Sequence, residues 1–439
     1  TMPFISRNPY TEEVLQEYPS HDWDTVEARL AAARLAFLRW RETTYAERAR
    51  VLHEIATALR EDLETYATTI TQEMGKPIKQ ARAEIEKCAR GLDYFADNLE
   101  RMLQPIEVET EAHKSYIAFQ PLGVILAIMP WNFPFWQAVR FAAPAIAAGN
   151  VVVLKPAPNT PNCAVMLRDA FDQGGSEESL LYNLFVEVEM IPDIIRHPLI
   201  SAVTFTGSTR AGREVARIAG ESLKKCVLEL GGSDAAIILP DADLDRAVAQ
   251  CLFGRYQNTG QSCIAMKRFI VDSLVYDEFV ERFVEQSRAL RMGDPMDEET
   301  DIGPLARADL RENLHRQVHE SIEMGAEVHL GGAIPEGRGY FYPPTVLTNI
   351  SPAMPVWAEE TFGPVAPIMP VNSRYEAVQV ANATRYGLGA SVFTENLRLG
   401  EEIARNRLEV GNAFVNHYVF SDPRLPFGGV RESGFGREL

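Results

Sequence analysis

The residues best suited to chemistry in this sequence are a cysteine, a glutamate and an asparagine, each in an unusual local setting. Cys263 lies in NTGQSCIAMKR, residues 258–268, among small and amide residues and without an adjacent cysteine. A thiol acts as a nucleophile only with a lowered pKa or a nearby base, and otherwise serves as a small core side chain. Both interpretations stay open from this segment alone, and the core interpretation is the commoner one.

Glu229 and Asn132 are polar residues within strongly apolar segments. Glu229 lies in CVLELGGSDAAIIL, where loss of water would raise the pKa of its carboxyl toward that of a useful general base. A buried salt bridge to a distant lysine or arginine is the simpler explanation of this motif alone. Asn132 lies in MPWNFPFWQAVR, where its amide either holds a turn or donates to a developing oxyanion.

Two further segments suit a phosphate or a sugar. In AVTFTGSTRAGREVARIAG, a strand runs through Gly207 and Ser208 into a helix, whose free N–H groups and positive dipole end favour a pyrophosphate. A plain N-cap is the commoner role of such a serine. Lys155 ends the strand-like VVVLKP, where it either contacts a ribose or phosphate or is simply solvated. The G-x-G-x-x-G dinucleotide motif does not occur.

Composition and charge narrow the class of protein. The length of 439 residues indicates two or three domains. The hydrophobic fraction of 46% is typical of a globular protein. Its net charge of −18 argues against partners such as nucleic acid or an anionic membrane surface. No apolar run approaches the roughly 20 residues of a membrane helix, and no targeting signal precedes the first helix.

Cysteine usage indicates the redox environment. The five cysteines are widely and irregularly spaced, and no C-x-x-C occurs. We therefore expect free thiols, no metal site and a cytoplasmic location.

The order of elements predicts an α/β fold with two bodies. The first hundred residues carry apolar residues at helical spacing, with a stop at Gly75 and Pro77. A short hairpin is expected next. Strand-like and helical segments then alternate, which predicts two parallel sheets covered by helices and joined near residue 232.

Taken together, these segments resemble the NAD(P)-dependent aldehyde dehydrogenase superfamily. The matching strings follow the family's order over nearly the whole chain and comprise PWNFP, LKPAP, FTGSTRAG, LELGGSD, NTGQSC, EETFGPV and PFGGVRESGFGRE. The resemblance implies a cofactor-binding domain at 1–103 and 122–232, an oligomerisation hairpin at 104–121 and a catalytic domain at 233–424. It also implies a C-terminal return at 425–439 and a homodimer or homotetramer.

The resemblance also implies roles for individual residues. Cys263 matches the nucleophile, Glu229 the general base and Asn132 the oxyanion donor. The implied cofactor contacts are Trp131, Lys155, Pro158, Gly207, Ser208, Leu230, Glu360 and Phe362. In the implied reaction the thiolate adds to an aldehyde, hydride leaves for the nicotinamide, and the resulting thioester is hydrolysed by water that Glu229 activates.

The implied substrate is succinic semialdehyde, because NTGQSCIAMKRFIVD, LKKCVLELGGSD and ARAEIEKCA are similar to the succinate-semialdehyde dehydrogenase branch. Its distal carboxylate would be received by Arg140, eight residues after Asn132, and by Ser421. A salt bridge from Arg140 to a structural carboxylate is the competing interpretation. Some family members have an arginine six residues before the cysteine, where this chain has Gln257.

The implied cofactor is NADP or NAD. Many NAD-preferring relatives carry a ribose-binding glutamate where this chain has Pro158, and losing that acid removes a repulsion against a 2′-phosphate. The stretch DQGGSEESLLYNLFVEVE lacks the family's usual proline–glycine pattern. The chain ends at GREL, where the family continues, so the C-terminal return is expected to be truncated or followed by a disordered tail.

Two rival hypotheses remain. A CoA-acylating relative would resolve the thioester with a thiol, and the base expected at Glu229 argues against it. A non-catalytic protein could retain the fold, and the intact set of Cys263, Glu229 and Asn132 argues against that.

Overall fold

Four helices follow a short antiparallel pair of strands at the start of the chain. The computed structural model describes residues 4–439. The elements of this region are β1 (Phe4–Arg7), β2 (Val14–Tyr18), α1 (Trp23–Trp40), α2 (Tyr45–Glu61), α3 (Leu63–Met74) and α4 (Ile78–Met102). The predicted helical region is confirmed, but the second predicted helix is two helices, because Asp62 leaves helical geometry at φ −117° and ψ 30°. Gly75 ends α3 at φ 83°, a conformation that favours glycine.

The first large sheet has six strands and provides one wall of the candidate site. Its elements are β5 (Val124–Ile128), α5 (Trp136–Ala147), β6 (Val151–Lys155), α6 (Pro161–Asp172), β7 (Leu181–Asn183), α7 (Ile191–Arg196), β8 (Ile200–Thr206), α8 (Thr209–Glu221), β9 (Lys225–Glu229) and β17 (Gly434–Phe435). The strand order is β17-β9-β8-β5-β6-β7. All strands pair in parallel except β17, which lies antiparallel to β9.

The second large sheet has seven strands. Its elements are β10 (Asp234–Ile238), α9 (Leu244–Tyr256), β11 (Met266–Asp272), α10 (Tyr276–Arg288), α11 (Ala308–Glu323), β12 (Glu327–Leu330), β13 (Thr345–Thr348), α12 (Pro355–Ala358), β14 (Val365–Val371), α13 (Arg374–Asn382), β15 (Gly389–Phe393), α14 (Leu397–Asn406) and β16 (Asn412–Val415). The strand order is β12-β13-β14-β11-β10-β15-β16. Strand β12 pairs antiparallel with β13, because no crossover helix separates them.

These two sheets confirm the predicted α/β class and add two antiparallel edges that the sequence pattern did not indicate. Central strands such as β5 and β6 are buried at every position, as expected for strands covered on both faces. The chain passes from the first sheet to the second between β9 and β10, where the prediction placed the junction near residue 232.

A small hairpin projects between α4 and β5. It consists of β3 (Ile106–Glu107) and β4 (Tyr116–Ile117), which pair antiparallel, as predicted. Its large apolar side chains are exposed, namely Ile106, Val108, Tyr116, Ile117 and Phe119.

A buried ion pair fixes the start of α5, the helix that follows Asn132. The Lys76 ammonium contacts one oxygen of Glu84, and both side chains are almost fully buried. The other Glu84 oxygen accepts from the backbone N–H groups of Phe135 and Trp136, at 2.9 and 3.3 Å. Since α5 has no side-chain cap of its own, Glu84 satisfies N–H groups that would otherwise lack an acceptor.

Replacing Lys76 with methionine leaves the Glu84 carboxylate buried without its cation, so we expect a loss of about 3–5 kcal/mol in the free energy of unfolding. Urea denaturation followed by tryptophan fluorescence measures this change. The matched control is Lys79→Met, at the start of α4, which breaks an exposed ion pair with Asp301 and should cost less than about 1 kcal/mol. Equal losses in the two variants would contradict the role given to the buried pair.

Candidate active site

The carboxyl ends of the strands in the first sheet bring the predicted residues to one edge. Strand β5 runs toward Asn132, and its last residue pairs with Lys155, which ends β6. Strand β8 pairs Thr206 with Glu229, which ends β9. This edge is where open α/β sheets bind their ligands.

Cys263 lies in the loop that enters β11 and lines a cavity of about 1160 Å³. Loss of water raises the pKa of its thiol to about 12. The negative charge of Glu360 contributes to this raised pKa, whereas Lys267 and Arg140 oppose it. The resting thiol is therefore protonated, and an added positive charge or a base must help to ionise it.

The backbone before Cys263 adopts a rare conformation. Asn258, Thr259 and Gly260 have successive φ values of 53°, 56° and 77°, and this region is unfavourable for a β-branched residue such as threonine. Thr259 is held there by hydrogen bonds between its hydroxyl and the backbone of Gly303, at 3.1 and 3.3 Å. A side chain at Gly260 would approach the carbonyl oxygen of Gly363 to 2.3 Å. The strained turn fixes the position of the backbone that leads into Cys263.

Lys267 joins the loop that carries Cys263 to the neighbouring segments. Its buried ammonium donates to the carbonyl oxygens of Cys263 and Gly232, at 2.8 and 2.9 Å. It also donates to Oε1 of Glu360 at 2.8 Å. Three loops therefore meet at one cation, which sets their relative positions. Lys267 could not be singled out from the sequence, because KRFIVD has the pattern of an ordinary strand.

Asn132 is buried, and its side chain and backbone contact the loop that carries Cys263. Its amide Nδ2 donates to the carbonyl oxygen of Gln261 at 3.2 Å. Its own carbonyl oxygen accepts from Nδ2 of Asn258 at 2.8 Å. The amide thus lies beside the segment that carries Cys263, as an oxyanion donor requires.

Glu229 is buried, and neither of its carboxylate oxygens has a hydrogen-bond partner in the protein. Loss of water raises the pKa of this carboxyl well above its usual range, and nearby Arg140 partly opposes the shift. The predicted alternative, a buried salt bridge that satisfies Glu229, is absent among residues 4–439. An unsatisfied carboxylate at this position can accept a proton from a bound water.

Arg140 lines the cavity but is already paired. Its Nε donates to Oε2 of Glu438 at 2.5 Å, and Nη2 lies 3.4 Å from the hydroxyl of Thr206. Glu438 also accepts from Thr204 at 2.9 Å. The structural salt bridge that competed with the substrate role of Arg140 is therefore present, and it ties the C-terminal return to the first sheet.

Ser421 lines the same cavity and is a double acceptor. Its hydroxyl oxygen accepts from Nζ of Lys87 and from Nε1 of Trp136, both at 2.9 Å. Its own proton remains available to donate. Gln257, which replaces the arginine of some relatives, also lines the cavity.

A second group of residues forms a cradle at the same sheet edge. Lys155 is buried without a carboxylate partner among residues 4–439, and loss of water lowers its pKa to about 8. Ser208 caps α8 by accepting from the N–H of Ala211 at 3.3 Å, so the commoner N-cap role is present. A side chain at Gly207 would collide with the Phe205 ring at 2.6 Å, so the turn is kept open only by glycine.

The remaining predicted cofactor contacts surround this cradle. Leu230 is buried and packs so closely on α8 that a side chain at Gly212 would meet it at 2.4 Å. Trp131 and Phe362 meet edge to face, with ring centroids 5.7 Å apart, and both rings are partly exposed. Glu360 also accepts from the N–H of Gly232 at 3.0 Å. Pro158 is exposed beyond β6.

The cradle has the donors that a dinucleotide requires. An uncompensated ammonium at Lys155 suits a hydroxyl or phosphate, and the helix that begins at Thr209 offers free N–H groups next to an open glycine turn. No group of three or more His, Cys, Asp or Glu between residues 4 and 439 could hold a metal ion. Over the same residues, none of the helices has the length and apolarity to cross a membrane.

The raised pKa of Cys263 predicts an unusual pH dependence of alkylation. Below its pKa the thiolate fraction grows tenfold for each pH unit, so we expect the rate with iodoacetamide to rise about tenfold per unit from about pH 7 to about pH 10. Peptide mapping by mass spectrometry follows Cys263 separately from the fully buried Cys88, Cys163 and Cys251, which serve as internal controls. A plateau below about pH 9 would contradict the desolvated thiol.

Comparisons with known proteins agree with this geometry. The model of the aldehyde dehydrogenase family matches residues 2–439. The chain is 46% identical to a Mycobacterium tuberculosis protein named succinate-semialdehyde dehydrogenase (NADP(+)) 1, over 100% of this chain and 96% of that protein. It is 47% identical to the Escherichia coli succinate semialdehyde dehydrogenase (NAD(P)+) Sad, over 99% and 94% of the two chains.

A solved structure extends the likeness to the fold. The succinic semialdehyde dehydrogenase of Streptococcus pyogenes, in complex with NADP+ as the cofactor, superposes with a TM-score of 0.96 at 38% identity. The match covers 99% of this chain and 96% of that chain. Cys263, Glu229 and Asn132 therefore lie in a fold shared with that protein, and the chain belongs to the aldehyde dehydrogenase family.

Proposed function

We propose that this chain oxidises succinic semialdehyde to succinate, with NADP or NAD as the hydride acceptor. The observation that carries the proposal is that Asn132 contacts the loop of Cys263, while Glu229 is buried without a partner and near enough to influence the Cys263 thiol. The similarity to the mycobacterial and Escherichia coli enzymes supports the choice of substrate and of cofactor.

Cys263 acts as the nucleophile in this proposal. Its thiol first gives up its proton to a base, and the sulfur then forms a bond to the aldehyde carbon while the carbonyl electron pair moves onto oxygen. This oxyanion is stabilised by the N–H of Cys263 and by the amide of Asn132. In the structure, that amide donates to the Gln261 carbonyl. The carbonyl then re-forms as a thioester when the hydrogen leaves as hydride.

Glu229 acts as the general base for the second half of the reaction. A water that approaches the thioester transfers a proton to the Glu229 carboxylate and adds to the carbonyl carbon. Collapse of the adduct releases the acid and returns the electron pair to sulfur. The raised pKa of Glu229 makes it a stronger base than an ordinary carboxylate.

The cradle at the first sheet would hold the cofactor, which supplies the hydride acceptor when bound. Lys155 would contact the adenosine ribose or its phosphate, and Gly207 and Ser208 would receive the pyrophosphate at the start of α8. Leu230, Trp131 and Phe362 would line its path, and Glu360 would bind the nicotinamide ribose. Pro158 brings no negative charge to the ribose, so a 2′-phosphate meets no repulsion there.

We also propose which part of the chain binds the cofactor and which part carries the nucleophile. Residues 1–103 and 122–232 would bind the cofactor, residues 233–424 would carry the nucleophile, and 425–439 would return to the first sheet. The exposed apolar residues of the 104–121 hairpin support a role in homo-oligomer formation. The five free cysteines support a cytoplasmic location.

The function is tested by assaying succinic semialdehyde and butanal with NADP and with NAD, on the wild type and Cys263→Ala. We expect kcat/KM for succinic semialdehyde to exceed that for butanal by about tenfold or more, because a carboxylate gains charge-assisted hydrogen bonds. Cys263→Ala should lose turnover, while titration of tryptophan fluorescence still shows cofactor binding. Undiminished turnover by this variant would overturn the proposal. In a parallel assay with added coenzyme A, a coenzyme A thioester product would favour the acylating alternative.

Glu229→Gln separates the two halves of the reaction. Without the base, hydride transfer should proceed once per active site, and steady-state turnover should then fall by about 10²–10⁴-fold, because thioester hydrolysis is blocked. Stopped-flow absorbance of the reduced nicotinamide measures both phases. A variant that loses the first turnover as severely as the later ones would contradict the assignment of Glu229 to hydrolysis.

A further inference from the structure

The cavity beside Cys263 is lined by six cationic side chains, and most of them are already paired. Lys76 contacts Glu84, Lys79 contacts Asp301, Arg140 contacts Glu438 and Arg424 contacts Asp422. The other two, Lys87 and Arg90, have no ion pair within residues 4–439. Of these two, Arg90 is exposed and Lys87 is half-buried.

Lys87 is held in place by neutral groups rather than by a carboxylate. Its Nζ donates to the hydroxyl oxygen of Ser421 at 2.9 Å and lies 4.6 Å from the centre of the Trp136 ring. Of the three hydrogens on an ammonium group, this geometry uses one. The hydroxyl of Ser421 already accepts from Lys87 and Trp136, so its own proton is free to bond an anion.

Arg140 has less to offer a ligand than Lys87. Its charge is matched by Glu438, and a second contact goes to Thr206. An anion that bound Arg140 would compete with a buried carboxylate, which would then lose its cation at considerable cost. The positive charge of Lys87 has no such competitor.

We propose that Lys87 is the specificity residue that receives the distal carboxylate of the aldehyde, together with the hydroxyl of Ser421. This inference rests on the proposed oxidation of a carboxylated aldehyde and adds to it the residue that selects the substrate. Loss of water and the nearby charge of Arg140 lower the pKa of Lys87 to about 8, and a bound carboxylate would compensate for both effects.

The test compares Lys87→Met with the wild type on succinic semialdehyde and butanal. Since a charge-assisted hydrogen bond is lost, KM for succinic semialdehyde should rise at least about tenfold with a much smaller change in kcat. The ratio of kcat/KM for the two aldehydes should fall by a similar factor. Lys87→Arg, which keeps the charge, should recover part of the selectivity.

Lys79→Met is the matched control, because Lys79 lines the same cavity on the same helix but is paired with Asp301. Its selectivity ratio should stay at the wild-type value. Equal losses on both aldehydes in Lys87→Met, with a wild type that still prefers succinic semialdehyde, would overturn the role of Lys87 and leave the proposed function intact. A wild type without that preference would overturn both.

Discussion

Removal of water from Cys263 and Glu229 is the constraint on which the proposed chemistry of this chain depends. Both Cys263 and Glu229 lie where the protein offers little solvation, so the charged form of each is disfavoured. A thiol that stays protonated at rest is protected from oxidation and from stray electrophiles. The same loss of water strengthens the electrostatic interactions with any charged group of a substrate or cofactor. We therefore expect the thiol to react only when both are bound.

Such a site needs exact placement, and the fold supplies it through a few buried polar contacts. Lys267 joins the backbone of Cys263 to Gly232 and Glu360, and Glu84 caps the helix that follows Asn132. The left-handed turn at Thr259 stores conformational strain that its contact with Gly303 stabilises. Arg140 and Glu438 then connect the end of the chain to the wall of the site. These contacts explain why an otherwise ordinary loop can present a reactive sulfur.

Local patterns in the sequence predicted the helices and strands and indicated most of the residues that are proposed to react. Helix α4 follows from its apolar spacing, and β5 and β6 follow from uninterrupted apolar runs. The pairing of Arg140 with Glu438 could not be predicted, because 298 positions separate them in the chain. Lys267 and Lys87 were missed for a related reason, since a lysine near a strand or on a helix has an ordinary pattern until its partners are known. The antiparallel pairing of β12 and β17 was not predicted either, because it depends on how the chain connects the strands and not on their composition.

In the proposed reaction the aldehyde carbon becomes covalently attached to Cys263. Mass spectrometry of Glu229→Gln, quenched with acid during turnover of succinic semialdehyde, tests it most directly. The account predicts one succinyl group per chain, located on the peptide that contains Cys263. An unmodified chain after a complete first hydride transfer, or a succinyl group on another residue, would contradict it.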